Sequence, residues 1–155
     1  MGGRYEHKLA ELGISLPDAV APAANYVPAR RVGNMVYVSG QVPREGGQDK
    51  FTGKLGAGIS IEEGQAAARL CAVNILAQLR HALNGDLDRV VGVVRLGGFV
   101  NADPAFEDHP KVINGASDLM VAVFGEAGRH ARAAVGCSSL PRNVAVEVDA
   151  IFEVA

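Results

Sequence analysis

The sequence predicts an α+β fold in which two long helices pack on one face of a single mixed β-sheet. Three observations lead to this prediction. The chain ends in a run, Val144 to Val154, with apolar residues at every second position, as in a strand with one buried face. Residues 61–84 and 111–125 instead carry apolar residues at helical spacing, and each follows a segment with strand character. Short connections and crossover handedness then place both helices on the same side of the sheet.

Length and composition predict one compact domain that spans residues 1–155. The chain has 155 residues, of which 48% are hydrophobic, and this is enough for a single core. We expect residues 1–25 to form an N-terminal extension with a short helix, because Tyr5 and Leu9 have helical spacing. Residues 26–155 then form the core of the domain.

Charge and composition argue against several classes of partner and site. A formal net charge of −2 gives no long-range attraction for DNA or RNA, and the absence of tryptophan argues against a stacking platform for single-stranded nucleic acid. No apolar run reaches the about 20 residues that cross a bilayer, and the polar start does not resemble a signal peptide. Cys71 and Cys137 lack metal-ligand spacing, so we expect reduced thiols in a cytoplasmic protein. Asp108 and His109 have no second His or Cys nearby, which favours exposed loop residues over a metal site.

Turn and capping signals predict the elements before the first long helix. The Gly33-Asn34 pair separates two extended runs, 29–32 and 35–42, and predicts a hairpin. Residues 44–58 are rich in glycine and charge but lack the spacing of a phosphate-binding loop, so we expect a long surface loop or lid. A capping-box pattern, Ser60-Ile61-Glu62-Glu63, then begins the first long helix. An irregular segment before the hairpin is marked by Pro17, Pro22 and Pro28.

Arg132 is the first candidate functional residue, because a charged guanidinium lies inside a strand of small and apolar residues, 131–136. A guanidinium in such a place needs a partner or a ligand. The 131–136 and 144–154 strands are predicted to form a hairpin through the Leu140-Pro141-Arg142-Asn143 turn, which would let Arg132 meet Glu147. A purely structural arginine is the alternative.

The second candidate feature is the face of the sheet that the helices leave uncovered. Residues 90–100 carry apolar side chains on both faces, which predicts a strand in the interior of the sheet. An apolar sheet face of this size predicts a protein interface, and a closed homo-oligomer is the simplest way to cover it. The residues assigned to this face are Met35, Tyr37, Val91, Val93, Phe99 and Ile151.

In combination and in order, several segments resemble the RidA family, also called YjgF/YER057c/UK114 and endoribonuclease L-PSP-like. The resemblance covers most of the chain from about Tyr26 onward, and the 15-residue spacing from Arg132 to Glu147 fits the family pattern. The segments are Gly33 to Pro43 (GNMVYVSGQVP), Gly85 to Val91 (GDLDRVV), Ala131-Arg132, Leu140-Pro141 and Val146-Glu147-Val148.

The resemblance implies a chorismate-mutase-like homotrimer, with the uncovered sheet faces at the trimer core and the sites in clefts between subunits. It also implies hydrolysis of reactive enamines and imines, such as 2-aminoacrylate, to 2-keto acids and ammonia. Such substrates carry a carboxylate and are intrinsically labile, so a guanidinium fork and one activated water can suffice without a metal or another cofactor.

By position, the resemblance assigns roles to six residues. Arg132 matches the arginine that holds the substrate carboxylate, and Glu147 matches the glutamate that works with water. The remaining matches would line the cleft and are Tyr26, Asn114 on the second long helix, and Ser39 and Gly40 in the SGQ segment.

The chain also departs from the family pattern. His130 stands where the family usually has proline, Ala134 where many members have cysteine, and Ala24-Asn25 where Gly-Pro is usual. The N-terminal helix and the 44–58 segment lengthen the chain, which indicates a longer, divergent branch. Two alternative functions follow: a non-catalytic trimer that binds a small carboxylate or a partner protein, and the ribonuclease activity attributed to some relatives. The low net charge and the absence of tryptophan count against the ribonuclease.

Overall fold

The computed structural model describes residues 2–19 and 24–155. The helices are α1 (Arg4–Glu11), α2 (Ile61–Ala82) and α3 (His109–Phe124). The strands are β1 (Ala29–Val32), β2 (Met35–Gln41), β3 (Arg44–Glu45), β4 (Gln48–Asp49), β5 (Lys54–Leu55), β6 (Gly58–Ile59), β7 (Val90–Asn101), β8 (Ala131–Cys137) and β9 (Val146–Val154). Short 3-10 turns lie at Leu87–Arg89, Gly125–Gly128 and Pro141–Asn143.

The main sheet has five strands in the order β1-β2-β9-β7-β8. Strands β7 and β8 run parallel, whereas the other neighbours are antiparallel, so the sheet is mixed. The predicted hairpin β1–β2, the capping box of α2 and the interior position of β7 are therefore confirmed. The fold is α+β, as predicted.

The core lies between one face of this sheet and the helices α2 and α3. The even-numbered residues of β9, from Val146 to Val154, are all buried, and they alternate with partly exposed residues as predicted. On the helices, Leu76, Leu79 and Leu119 are fully buried. Phe152 is fully buried as well, and truncating an aromatic side chain of this kind to alanine typically costs about 3–5 kcal/mol.

The predicted hairpin between β8 and β9 is wrong, because β7 lies between these strands. Strand β9 pairs with β7 and β2, and β8 pairs only with β7 as an edge strand. The connecting residues 138–145 pass over the end of β7, where the Asn101 N–H donates to the Ala145 carbonyl and the Ala102 N–H to the Cys137 carbonyl. The predicted turn residues therefore belong to a connection that crosses β7 to join two strands that are not neighbours.

The predicted outer face of β7 also needs one correction. Val93 is buried on the helix side, opposite Phe152, whereas Val91 and Val94 are exposed. Register irregularities between Val90 and Gly92 and between Val93 and Arg95 cause this, because each extra residue reverses the faces of those that follow.

Residues 44–58 are not a plain loop. They form two small ladders, the antiparallel pair β3–β4 and the parallel pair β5–β6, and Leu55 of β5 is fully buried. The irregular segment predicted around Pro22 falls partly in residues 20–23, outside the described residues.

The predicted N-terminal helix is present and packs on the core. The Tyr5 ring meets Phe124 edge-on at a centroid distance of 4.7 Å, and Leu9 is buried. The Asp88 carboxylate accepts the free N–H groups of Arg4 and Tyr5 at the first turn, as helix N-termini require. Across residues 2–19 and 24–155, the structure contains no helix with the length and apolar character to cross a membrane.

Candidate active site

One group of polar side chains, here called the arginine cluster, comprises Arg132, Asn114, Ser117 and His130. Arg132 lies opposite Leu96 of β7, whose side chain is buried on the helix side, so its own side chain turns toward α3. There Arg132 Nη1 donates hydrogen bonds to Asn114 Oδ1 at 2.8 Å and to Ser117 Oγ at 3.1 Å. Asn114 and Ser117 are three residues apart and therefore share one side of the helix.

These contacts leave the other edge of the guanidinium free. Among the described residues, Arg132 Nε and Nη2 have no hydrogen-bond partner, while the side chain is partly exposed at the edge strand β8. The Nε–Nη2 edge presents two parallel N–H groups, which is the geometry that binds a carboxylate in bidentate fashion. The arginine cluster can therefore orient a guanidinium toward a carboxylate ligand.

A second group, here called the glutamate cluster, comprises Glu147, Gly40, Ser39, Tyr26 and Arg142. Glu147 lies on the sheet face opposite the helices, because it alternates with the buried Val146 and Val148. A register irregularity in β2 between Val38 and Gln41 brings Gly40 beneath the carboxylate, and a methyl group at Gly40 would collide with Glu147 Oε2.

The Glu147 carboxylate lies in an environment that favours its neutral form. Burial raises the pKa of Glu147, and the nearby Asp149 carboxylate raises it further, whereas Arg142 lowers it. Within the part of the chain that the structure describes, no hydrogen bond to Glu147 stabilises its charged form. A carboxylate with a raised pKa and free oxygens is suited to accept a proton from water near neutral pH.

Ser39 connects strand β2 to the segment that carries Tyr26. Ser39 Oγ donates a 2.8 Å hydrogen bond to the Val27 carbonyl, and the Ser39 N–H donates to the Pro28 carbonyl. These bonds attach the segment that carries Tyr26 to β2, and the Tyr26 side chain is 56% exposed. Ser39 thus positions the Tyr26 segment.

Arg142 is a site residue that the sequence did not reveal. It adopts a left-handed conformation (φ 53°), and its Nε and Nη2 donate to the two oxygens of Asp49 at 2.6 and 3.3 Å. This bidentate contact raises the pKa of Arg142, as do the nearby Glu147 and Tyr26, and it lowers the pKa of Asp49. The contact attaches the 44–58 segment to the glutamate cluster.

The expected contact between Arg132 and Glu147 is absent within the chain. Their side chains lie on opposite faces of the sheet, and β7 separates their strands. With about 4.8 Å between strands and about 3.3 Å per residue, their Cα atoms are on the order of 14 Å apart. Of the six predicted site residues, Arg132 and Asn114 therefore belong to one group, while Glu147, Gly40, Ser39 and Tyr26 belong to the other.

A cavity on the surface of the described residues does not join the two groups. It has a volume of about 500 Å³ and lies between α2, the end of β2 and residues 15–18. Tyr26 and Gly40 line it, but Arg132, Asn114 and Glu147 do not. Residues 2–19 and 24–155 contain no group of three His, Cys, Asp or Glu side chains arranged to hold a metal ion.

Ser117 and Arg142 were both missed by sequence reasoning. Ser117 carried a usable signal, since it lies one helical turn after Asn114. Arg142 carried none, because its partner Asp49 is 93 positions away in the chain.

Comparison with known proteins identifies the family. Residues 6–154 match the family model described as "YjgF/chorismate_mutase-like, putative endoribonuclease". The chain is 53% identical to protein TCP17 of Trypanosoma cruzi over 97% of its length and 94% of TCP17.

Two further similarities cover nearly the whole chain. The crystal structure of Atu1372 from Agrobacterium tumefaciens, described as having unknown function, is also 53% identical, with a TM-score of 0.92 over 97% of this chain and 92% of that one. A 2-iminobutanoate/2-iminopropanoate deaminase of Dermatophagoides farinae is 29% identical over 89% of this chain and 92% of the relative. With its mixed sheet, its two long helices and this match over residues 6–154, the chain belongs to the YjgF (RidA) family.

Proposed function

We propose that the protein hydrolyses 2-imino acids, or their enamine tautomers, to 2-keto acids and ammonia, at a site that adjacent copies of the chain form together. The observation that carries the proposal is the Arg132 guanidinium, held through Nη1 by Asn114 and Ser117 with its Nε–Nη2 edge free. A 2-imino acid has a carboxylate next to the reacting carbon, so a ligand held by this fork has a defined orientation.

The chemistry needs one water and one base. Water adds to the carbon of the protonated imine while the Glu147 carboxylate accepts a proton from the water, and the carbinolamine C(OH)–NH2 forms. Glu147 then gives this proton to the nitrogen. The carbon–nitrogen bond breaks, ammonia leaves, and the hydroxyl proton returns to the Glu147 carboxylate as the keto group forms. The burial that raises the pKa of Glu147 supports its role as this base.

Two features support a site shared between copies. The arginine and glutamate clusters lie on opposite faces of one chain's sheet, so a site that uses both Arg132 and Glu147 needs residues from two chains. The sheet face that bears Glu147 also exposes apolar side chains, with Tyr37 48%, Val91 50% and Val94 38% exposed. Because such a patch is costly in water, we propose that this face is covered in a homotrimer, the assembly expected from the family resemblance.

The similarity to a relative named as a 2-iminobutanoate/2-iminopropanoate deaminase supports this reaction class. The names of the two relatives at 53% identity state no activity. For this chain, the proposed reaction therefore depends on the side chains of Arg132 and Glu147.

An imine-trapping assay tests the proposal. An amino-acid oxidase generates a 2-imino acid in situ, semicarbazide traps what remains, and wild type is compared with Arg132→Ala and with Arg69→Ala, an exposed arginine on α2. Wild type and Arg69→Ala should reduce the trapped imine, whereas Arg132→Ala should not. If wild type leaves the trapped imine unchanged, the deaminase proposal fails and a carboxylate-binding trimer replaces it.

Light scattering tests the assembly separately. We expect a mass three times the 16.1 kDa of the chain at micromolar concentration. A monomer under these conditions would remove the basis for a shared site.

A further inference from the structure

The arginine cluster contains a chain of hydrogen bonds that the proposed reaction does not explain. His130 precedes β8, and its Nδ1 lies 2.6 Å from the Gly128 carbonyl oxygen. On the other side of the ring, His130 Nε2 lies 2.8 Å from Ser117 Oγ, and this oxygen accepts the 3.1 Å hydrogen bond from Arg132 Nη1. His130 therefore places a titratable group one hydrogen-bonded residue away from the guanidinium.

The partners determine where the protons are. A carbonyl oxygen only accepts hydrogen bonds, so His130 Nδ1 carries a hydrogen in either charge state. In the neutral ring, Nε2 then carries no hydrogen and accepts through its lone pair. The Ser117 hydroxyl donates to Nε2 while it accepts from Arg132. The hydrogen bonds thus run in one direction, from Arg132 through Ser117 and His130 to Gly128, and each bond polarises the next.

Protonation of His130 changes this arrangement at one atom. The Nε2–H now donates to Ser117 Oγ, whose two lone pairs are occupied by His130 and Arg132. The hydroxyl hydrogen of Ser117 must leave Nε2 and becomes available to another acceptor, and the imidazolium adds positive charge beside the guanidinium. Both changes favour an anionic ligand over an empty site.

We infer that Ser117 and His130 are positioning residues that orient the Arg132 fork and couple carboxylate binding to the protonation of His130. The inference rests on the proposed role of Arg132 as carboxylate anchor. It predicts tighter binding of a 2-keto or 2-imino carboxylate at pH values where His130 is protonated.

Each element that packs around His130 also carries charged groups. Arg132 follows on β8, and the 3-10 turn before His130 carries an exposed Arg129–Glu126 ion pair with a nitrogen–oxygen distance of 3.9 Å. Asp118 is the exposed residue next to Ser117 on α3, and Arg95 of β7 lies opposite Ala131 and pairs with Asp149. The Arg129–Glu126 pair, Asp118 and the Arg95–Asp149 pair are solvent-exposed or paired, and salt screens exposed charges. The contacts among His130, Ser117 and Arg132 are direct.

Binding of 2-oxobutanoate, measured by calorimetry on the full-length protein at pH 5.5 and pH 8, tests the inference. Wild type and His81→Gln, an exposed histidine on α2, should bind more tightly at the lower pH, by about fivefold or more. His130→Gln and Ser117→Ala should bind with little dependence on pH. The inference is overturned if His130→Gln keeps the wild-type pH dependence.

A second measurement needs no substitution. Because linkage is reciprocal, binding of 2-oxobutanoate at a fixed pH should be accompanied by proton uptake, which calorimetry in buffers of different ionisation enthalpy measures. Binding without proton uptake at any pH between 5.5 and 8 would overturn the inference while leaving the role of Arg132 intact. If wild type binds no 2-oxobutanoate at either pH, the carboxylate anchor fails, and the inference fails with it.

Discussion

The arginine cluster and the glutamate cluster differ in how far a single chain fixes their geometry. In the arginine cluster, α3 and β8 hold the guanidinium by hydrogen bonds to Asn114 and Ser117. In the glutamate cluster, the carboxylate of Glu147 rests over Gly40, and burial raises its pKa. In the proposed reaction, the first region binds the carboxylate and the second accepts a proton, and the sheet of one chain separates them.

Replacing the base should have the largest effect on the reaction. Glu147→Gln keeps the shape of the side chain but cannot accept a proton, so we expect kcat to fall by about 10²- to 10⁴-fold. Asp149→Asn is the matched control, since Asp149 lies on the same strand face and burial also raises its pKa. The imine-trapping assay measures both. Equal losses in the two variants would mean that the reaction depends on the negative charge of this sheet face and not on the Glu147 carboxylate as base.

The cation beside Glu147 should set the acid limit of activity. Because the folded pKa of Glu147 is raised, its base form is lost as pH falls through a value above 4.5, and activity should fall with it. Arg142 lowers that pKa, so Arg142→Gln should move the acid limb of kcat/KM to higher pH. Asp49→Asn breaks the ion pair but keeps the cation, and it should not move the limb in that direction. An unshifted limb in Arg142→Gln contradicts this electrostatic role.

A methyl group under the base should lower activity by a smaller factor. Gly40→Ala places a methyl group where Glu147 Oε2 lies, which displaces the carboxylate, and we expect kcat to fall by about tenfold, as misplacement of a catalytic group does. Gly97→Ala is the matched control, since its methyl group would collide with Asp149 on the same face. Steady-state kinetics at equal folded concentration compare them. Similar kcat values in the two variants would contradict the role of Gly40.

The smallest expected effect is on stability. Asp49→Asn removes the carboxylate that binds Arg142, and we expect a loss of roughly 1 kcal/mol in the free energy of unfolding at pH 7, since the pair is near the surface. The folded pKa of Asp49 is depressed, so its stabilisation is present above the unfolded value of 3.8 and is lost as pH falls through the lower folded value. Denaturant unfolding at pH 7 and well below pH 3.8 should show the difference shrinking. A constant difference would show that charge is not its cause.

Local periodicity predicted the helices and strands well, but it predicted poorly which strands pair with each other. The alternation of β9 and the capping box of α2 are properties of short segments, and both are present. The assumed β8–β9 hairpin failed because alternation records which face is buried and not which strand lies alongside. Val93 changed face because a β-bulge leaves no separate mark in a run of apolar residues.

The site shows the same division between local and long-range information. The six predicted residues lie in the two clusters described above, yet the sequence suggested that Arg132 and Glu147 meet within one chain. The Arg142–Asp49 contact joins positions too far apart in the chain for any local pattern to reveal. Their arrangement depends on strand order, which long-range packing decides.

Mixing two inactive variants tests the shared site most directly. Arg132→Ala chains retain Glu147, and Glu147→Gln chains retain Arg132, so a site formed between copies is intact wherever the two variants meet in the right order. In a closed ring assembled at random from equal amounts, about a quarter of the sites are intact, and co-refolded protein should recover about that fraction of wild-type activity. A double variant, Arg132→Ala with Glu147→Gln, co-refolded with wild type calibrates the dilution. If the mixed single variants stay as inactive as each alone while their subunits exchange, the two clusters do not form one site.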